Sequence, residues 1–366
     1  MNKTIRKILS PILLPLSLLY GLIIYFRNRF YDYSIFKSTS FNIPIISIGN
    51  ITVGGTGKTP HVEYLADLLK SEFRVATLSR GYKRKSKGFI LADNQSTAQE
   101  IGDEPRQIKQ KFPDIEVAVD SKRVRGIQKL IANDQNLDVV LLDDAFQHRK
   151  VQTNLSILLV DYNRPIDKDF MLPLGNLREQ AFEKKRAGII IITKAPQDIK
   201  PIERRIIFSE LRPYPFQNVY FTTMDYGKIT PVYKNTDNIK INHEKPTILL
   251  VTGIANPYPL EQYIKENLSD KIEKIRFPDH HNYKKSDLQK IEFRFNSITS
   301  SNKIIITSEK DAMRLHKFTN IADNIKKSFF YIPIKVRFLN NKTDNFNKQI
   351  TDYVRNNKKH SFLYPK

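Results

Sequence analysis

The run Gly49-Asn50-Ile51-Thr52-Val53-Gly54-Gly55-Thr56-Gly57-Lys58-Thr59-Pro60 follows an apolar segment, Ile43 to Ile48. It precedes a stretch in which Val62, Leu65, Ala66 and Leu69 recur at helical spacing. Glycines let backbone amides curl around a phosphate, and a helix N-terminus adds its partial positive charge. In that setting Lys58 can reach the β- and γ-phosphates of a nucleotide, and the Thr59 hydroxyl can ligate Mg²⁺. Thr52, Val53, Gly54, Gly55, Thr56, Gly57, Lys58 and Thr59 are therefore the candidate nucleotide cradle. The motif departs from its usual form at Thr52, where the first glycine would fall. Val53 stands where one subclass of dimeric P-loop ATPases has a further lysine, so that subclass loses support.

A nucleotide bound this way needs an acid at the end of another strand to hold its Mg²⁺. Val139-Val140-Leu141-Leu142-Asp143-Asp144 supplies two, at the carboxyl end of a fully apolar run, where α/β sheets place their ligands. Thr193-Lys194-Ala195-Pro196 begins like the guanine-reading element of GTPases but has Pro196 in place of its acid, so ATP is the expected nucleotide. Gly102-Asp103-Glu104-Pro105 and Phe277-Pro278-Asp279-His280-His281-Asn282-Tyr283 form a third constellation. A carboxylate oriented by a histidine can accept the proton of an attacking hydroxyl. Taken singly, Asp103 could cap a helix and either histidine could be a surface residue. Adjacent histidines also lack the helical spacing of a zinc pair.

These groups need a scaffold. Short apolar runs at Val75 to Leu78, Val117 to Val119, Val139 to Leu142, Leu155 to Val160 and Ile189 to Ile192 alternate with amphipathic stretches, the pattern of βαβ units. A polar stretch, Met224 to Lys245, separates them from a second series: Ile248 to Val251, Lys274 to Phe277, Lys303 to Thr307 and Phe329 to Ile334. The expected fold class is α/β, a P-loop NTPase-like parallel sheet domain plus a second, smaller α/β domain. Its expected limits are 1–39 for an N-terminal segment, 40–235 for the P-loop domain, and 236–366 for the second domain with a partly solvated C-terminal tail.

Residues 8–26 carry no formal charge and are rich in Leu and Ile, about the minimum for a spanning helix. Pro11 and Pro15 are expected to interrupt this segment, and Lys3, Arg6, Lys7, Arg27 and Arg29 flank it on both sides. An interfacial, membrane-associated helix is favoured over a single span, and both over a cleaved signal peptide, for which no small-x-small site follows. The whole chain, 366 residues, carries 60 Lys+Arg against 38 Asp+Glu, a net charge of +22. That balance favours a polyanionic partner: nucleic acid, an acidic membrane surface or a phosphorylated substrate. The absence of cysteine excludes disulfides, thiolate metal sites and cysteine nucleophiles.

With these motifs in view, the chain resembles the tetraacyldisaccharide 4′-kinase (lipid A 4′-kinase) family. The likeness rests on the loop 49–60, Ser79-Arg80-Gly81-Tyr82, Gly102 to Pro105, Leu141-Asp143-Asp144-Ala145-Phe146-Gln147-His148-Arg149, and Leu172-Pro173 with Leu177-Arg178-Glu179. It continues through Val251 to Pro257, Phe277 to Tyr283 and Glu309-Lys310-Asp311-Ala312, collinear to about residue 336. The resemblance implies ATP and Mg²⁺ as cofactors and transfer of the γ-phosphoryl to the 4′-hydroxyl of a tetraacylated glucosamine disaccharide 1-phosphate. It implies work at the anionic cytoplasmic face of a bacterial inner membrane, with neither nucleic acid nor an obligate protein partner. By position, Lys58 would bind phosphates, and Thr59 with Asp143 or Asp144 would hold Mg²⁺ assisted by Glu104. Asp103 would be the base with His280 as partner, and His281 is second choice. Arg123, Gln147, His148 and Arg178 would face the substrate. With base and histidine in different domains, the domains are expected to approach each other when substrates bind.

Two readings compete. One is a membrane-associated P-loop ATPase driving a partner protein, which would use water as acceptor. The other is a basic nucleic-acid-binding module, whose clustered cations and aromatics are confined to one short run, Arg80 to Lys87 with Tyr82.

Overall fold

In the computed structural model, which describes residues 3–233, 245–318 and 321–363, the chain opens with helix α1 (Lys3–Asp32). Pro11 and Pro15 lie inside this helix and do not interrupt it. A proline removes one donor and crowds the carbonyl four residues back. Spaced four apart, the two defects fall on one side of a helix otherwise rich in Leu and Ile. Residues 9–32 are long and apolar enough to cross a membrane, and little of that stretch is buried.

The alternating pattern then folds as β1 (Ile45–Gly49), α2 (Lys58–Leu69), β2 (Val75–Ser79), β3 (Ile90–Leu91), α3 (Ala98–Ile101), α4 (Asp103–Lys111), β4 (Glu116–Val119), α5 (Arg123–Asn133), β5 (Val139–Asp143), β6 (Leu155–Asp161), β7 (Ile189–Thr193), α6 (Pro201–Leu211) and β8 (Asn218–Tyr226). A second series follows: β9 (Thr230–Pro231), β10 (Thr247–Thr252), α7 (Tyr258–Asn267), β11 (Ile272–Arg276), α8 (Lys285–Ser297), β12 (Lys303–Ser308), α9 (Glu309–Leu315), α10 (Asp323–Lys327) and β13 (Phe329–Ile332). Last come β14 (Ile334–Phe338) and α11 (Thr343–Leu363).

The larger sheet has the order β14-β8-β7-β6-β1-β5-β2-β4-β3, parallel except at its edges β14 and β3. Strands β1, β2, β5 and β7 are buried along their whole length, as expected of parallel strands covered on both faces. The smaller sheet runs β11-β10-β12-β13-β9, with only β9 antiparallel. In β1 and β5 the register sets Ile48 beside Asp143, so the glycine-rich loop and the acid leave the sheet at the same carboxyl edge.

The boundary expected between residues 235 and 236 lies outside the described residues. The C-terminal end differs from the expected division, because β14 pairs with β8 of the larger sheet. Helix α11 likewise sets Phe346, Ile350 and Val354 into the larger sheet's core. Their i, i+4, i+8 spacing is an apolar stripe within an Asn- and Lys-rich segment, and burial of that stripe decides where the helix docks.

Candidate active site

Between β1 and α2 the chain turns through Gly54 (φ 99°) and Gly57 (φ 86°), backbone values that L side chains rarely adopt. The loop is held from outside. Arg164 Nη1 donates to Val53 O at 3.1 Å, and Lys194 Nζ donates to Gly55 O. Both cations are fixed on Asp161 Oδ2 at the end of β6, at 3.0 and 2.8 Å. Burial alone would raise the Asp161 carboxyl, but hydrogen bonds and charge from Lys194 and then Arg164 hold it below the usual range. In a planar trans peptide the carbonyl and the following N–H point in opposite directions. Drawing the Val53 and Gly55 carbonyls outward therefore turns the Gly54 and Thr56 amides the other way, as a phosphate nest requires. Replacing Asp161 with Asn should release this strap and weaken ATP binding about tenfold, since charged hydrogen bonds contribute on the order of 1.5–3 kcal/mol. Calorimetric titration of folded protein measures this, and unchanged affinity would mean that the loop holds its shape unaided.

Thr52 is buried under the loop, and its hydroxyl accepts from Asn50 Nδ2 at 3.4 Å. Lys58 Nζ lies 3.4 Å from Asn50 Oδ1 and 3.5 Å from Asp144 Oδ1. Asn50 is in turn gripped by Gln147, whose Nε2 donates to its carbonyl at 2.7 Å. Gln147 thus reaches the phosphate loop, and its part in orienting Lys58 is indirect. Asp144 takes a left-handed backbone (φ 48°), which makes it the strained residue of this turn. Its second oxygen faces Arg178 Nη1 at 3.6 Å.

Asp143 is buried, and one carboxylate oxygen, Oδ1, has no hydrogen-bond partner. Burial, then the charges of Glu104 and Asp144, push this carboxyl up to about 7. An orphaned acidic oxygen beside a phosphate loop fits a divalent cation, which would supply the missing partner and favour the ionised form. Buried Thr56 Oγ1 is also without a partner. Glu104, expected to assist the metal, is engaged by Lys310 Nζ at 2.8 Å.

Arg123 corrects an expectation. It is only 3% exposed, and its guanidinium donates to two backbone carbonyls, Asp120 at 2.6 Å and Asp143 at 3.0 Å. It underpins the acidic turn and does not face a substrate, and burial lowers it to about 10. His148 is kept neutral, lowered to about 4 by burial and then by Arg123 and Arg80.

Asp103 begins α4 immediately after Gly102, whose φ of 95° only glycine adopts freely. One of its oxygens, Oδ2, collects Arg314 Nη2 at 2.7 Å, Arg314 Nε at 2.9 Å and His280 Nδ1 at 3.4 Å. Burial would raise this carboxyl, but the hydrogen bonds from His280 and Arg314 and the Arg314 charge bring it below the usual range. Arg314 Nη2 also stands 3.1 Å from His280 Nδ1. Since one lone pair or one proton occupies Nδ1, that nitrogen either donates to Asp103 or accepts from Arg314. His280 carries φ 58° and meets the exposed Tyr82 edge to face at 5.7 Å. His281 turns away to Asp287 at 2.9 Å. The dyad is already assembled in this conformation, with the two domains joined through α4 and α9.

At the other end of that junction, Lys111 Nζ bridges Glu63 at 2.7 Å and Glu309 at 3.2 Å. Burial and then the Glu309 charge push Glu63 up to about 7. A folded-state value above the ordinary 4.5 means a contribution to stability fully present below about 4.5 and lost as pH rises through about 7. Thermal melts from pH 5 to 8 should show a fall of a few degrees that Glu63→Gln makes shallower, the raised Asp143 carboxyl supplying the remainder. An unchanged slope in the variant would remove Glu63 as its source.

Residues 9–355 match the family model described as tetraacyldisaccharide-1-P 4′-kinase. A protein of Phocaeicola vulgatus named tetraacyldisaccharide 4′-kinase is 46% identical over 353 residues, covering 95% of this chain and 96% of that one. One of the same name from Bacteroides thetaiotaomicron is 46% identical over 359 residues, covering 95% and 94%. A crystal structure described as the "apo" form of LpxK from Aquifex aeolicus in complex with ATP superposes with a TM-score of 0.73. It is 29% identical and covers 96% of this chain and 99% of its own.

Proposed function

The chain belongs to the tetraacyldisaccharide-1-phosphate 4′-kinase family, and from that membership we propose how its own residues carry out the transfer. The enzyme moves the γ-phosphoryl of ATP to the 4′-hydroxyl of tetraacyldisaccharide 1-phosphate, forming lipid IVA in lipid A biosynthesis. The observation that carries the assignment of roles is the ionised Asp103 carboxylate, fixed through Oδ2 by Arg314 and His280 next to Glu104. Asp103 accepts the proton of the 4′-hydroxyl as its oxygen attacks phosphorus, and the bond to the leaving ADP oxygen breaks. His280 and Arg314 hold the carboxylate in place. Residues 53–59 cradle the phosphates, and Lys58 neutralises charge that builds on the leaving oxygens. Mg²⁺, held by Thr59 and Asp143 with Asp144 close by, would neutralise phosphate charge. Arg178, whose backbone carbonyl accepts from Tyr20 of α1 at 3.1 Å, contacts substrate phosphate at the seam between anchor and site.

A tetraacylated substrate stays in the bilayer, so the enzyme must come to it. Helix α1 supplies the anchor at the anionic cytoplasmic face of the inner membrane. It is bolted to the site-bearing segment by Glu179, which is fully buried and accepts from Arg27 at 2.9 Å and Asn28 at 3.2 Å. The test is transfer of labelled γ-phosphate to tetraacyldisaccharide 1-phosphate in mixed micelles, with ATP hydrolysis followed in a lipid-free control. A labelled lipid dependent on Mg²⁺ and Asp103 is expected. Hydrolysis without lipid product would favour the partner-driving ATPase and remove Asp103 as base.

A further inference from the structure

Among the described residues outside α1, six exposed large apolar side chains fall between positions 182 and 216, namely Phe182, Ile202, Ile206, Phe208, Tyr214 and Phe216, while eight others, Phe170, Tyr258 and Phe293 among them, lie elsewhere along the chain. Single exposed apolar residues are ordinary, but a contiguous group marks an interaction surface. On α6, Ile207 and Leu211 turn inward to the sheet. At 100° per residue, Ile202 and Ile206 lie on the opposite side, 58% and 49% exposed. Phe216 is 62% exposed, and its ring stacks on Tyr214 at 5.8 Å. Among the described residues, none of the buried core clusters takes in Ile202, Ile206 or Phe216.

Its position shows what covers it. Leu158 and Val160 of β6 and Ile190 and Ile192 of β7 face a core that includes α6 together with Met171 and Ala181. Helix α1 lies on that same side: Ser17 donates to Met171 O at 2.7 Å, and Gln180 donates to Gly21 O at 2.6 Å. The opposite face, through Ile157, Leu159, Ile189 and Ile191, is covered by α2 and α11. The turn after α6 is linked to α1 through the segment that carries Phe182. Tyr25 of α1 meets Phe182 at 6.3 Å, and Gln217 ties the Tyr214–Phe216 turn to the carbonyls of Lys184 and Ala187, each at 2.7 Å.

The charges around the patch complement an anionic surface. Arg205 and Arg212 are exposed, whereas the acids of the segment are committed elsewhere, Glu203 to the Lys200 amide and Glu210 to Lys168. Apolar and aromatic side chains rimmed by arginine suit the boundary between headgroups and acyl chains. We propose that α6 and the turn after it form a second membrane contact, so that the enzyme docks on an anionic bilayer through a broad face and not through α1 alone. This rests on the reading of α1 as a membrane helix. Two contacts on one rigid face would fix the orientation of the cleft over the lipid surface more firmly than α1 alone.

The chain contains no tryptophan, so Phe216→Trp introduces a sole tryptophan that can be excited selectively over tyrosine, and Leu22→Trp does the same in α1. With vesicles of phosphatidylethanolamine and phosphatidylglycerol, both should shift to the blue and be quenched by brominated acyl chains. A response from Leu22→Trp without one from Phe216→Trp overturns the second contact and leaves the anchor standing. Silence from both overturns the membrane reading itself. A blue-shifted Phe216→Trp spectrum before vesicles are added would assign the patch to self-association and also overturn the proposal. Ile202→Ser/Ile206→Ser/Phe216→Ser should raise KM for vesicle-borne substrate about tenfold. Its kcat and its KM for detergent-dispersed substrate should stay unchanged, and an equal KM in both formats would count against membrane docking.

Discussion

Asp103→Asn protein should bind ATP with wild-type affinity and lose about 10²- to 10⁴-fold in kcat, the range typical of a removed general base. The substitution is nearly isosteric. Arg314 Nε and Nη2, now 2.9 and 2.7 Å from Oδ2, can still donate to the amide oxygen, so the side chain stays in position while its ability to take a proton is lost. The more obvious removal, Arg314→Ala, would be ambiguous. Arg314 is 6% exposed and also pairs with the fully buried Asp311 at 3.0 Å. Stripping its charge would strand a buried carboxylate, at a cost of about 3–5 kcal/mol. Calorimetry and a thermal melt, alongside turnover of the lipid, separate chemistry from folding. Turnover within threefold of wild type, in protein that melts normally, would remove Asp103 from the mechanism.

Why Asp103 and His280 were legible in the amino-acid sequence while Arg314 was not follows from the range of the signal. The phosphate loop, the acid pair at the end of β5 and the Gly-Asp-Glu-Pro turn are local patterns, each set by a neighbouring strand or helix end. Arg314 meets Asp103 across 211 residues, with no spacing to announce it. The one trace is its i, i+3 relation to Asp311 on α9. The Asp161 strap was equally hidden, and Lys194 was visible only as a fragment of a guanine-reading element. Arg123 was misread for the converse reason: residue type and motif position suggest a phosphate contact, but burial depends on α5 packing its first turn under β5. Likewise, α/β alternation was plain, yet the return of β14 and α11 to the larger sheet depends on tertiary burial of a sparse stripe in a polar segment.

Lys58→Ala should lower kcat/KM by about 10²- to 10⁴-fold, because a cation aimed at charge developing in a low-dielectric site contributes several kcal/mol to the transition state. Its side chain is 15% exposed and stands between Asn50 and Asp144. It therefore also balances the acid pair, and the variant is expected to lose a little stability as the two carboxylates face each other without it. That second effect can be separated. Adding Asp144→Asn to Lys58→Ala removes one of the repelling charges and should restore the melting temperature without restoring turnover, since neither change returns a donor to the phosphates. If the double variant instead recovered activity together with stability, Lys58 would be a structural counter-ion, and charge neutralisation during transfer would have to come from Arg178 and the metal. Measuring single-turnover transfer at saturating ATP excludes weak binding as the cause. A loss that persists there locates the effect in the chemical step.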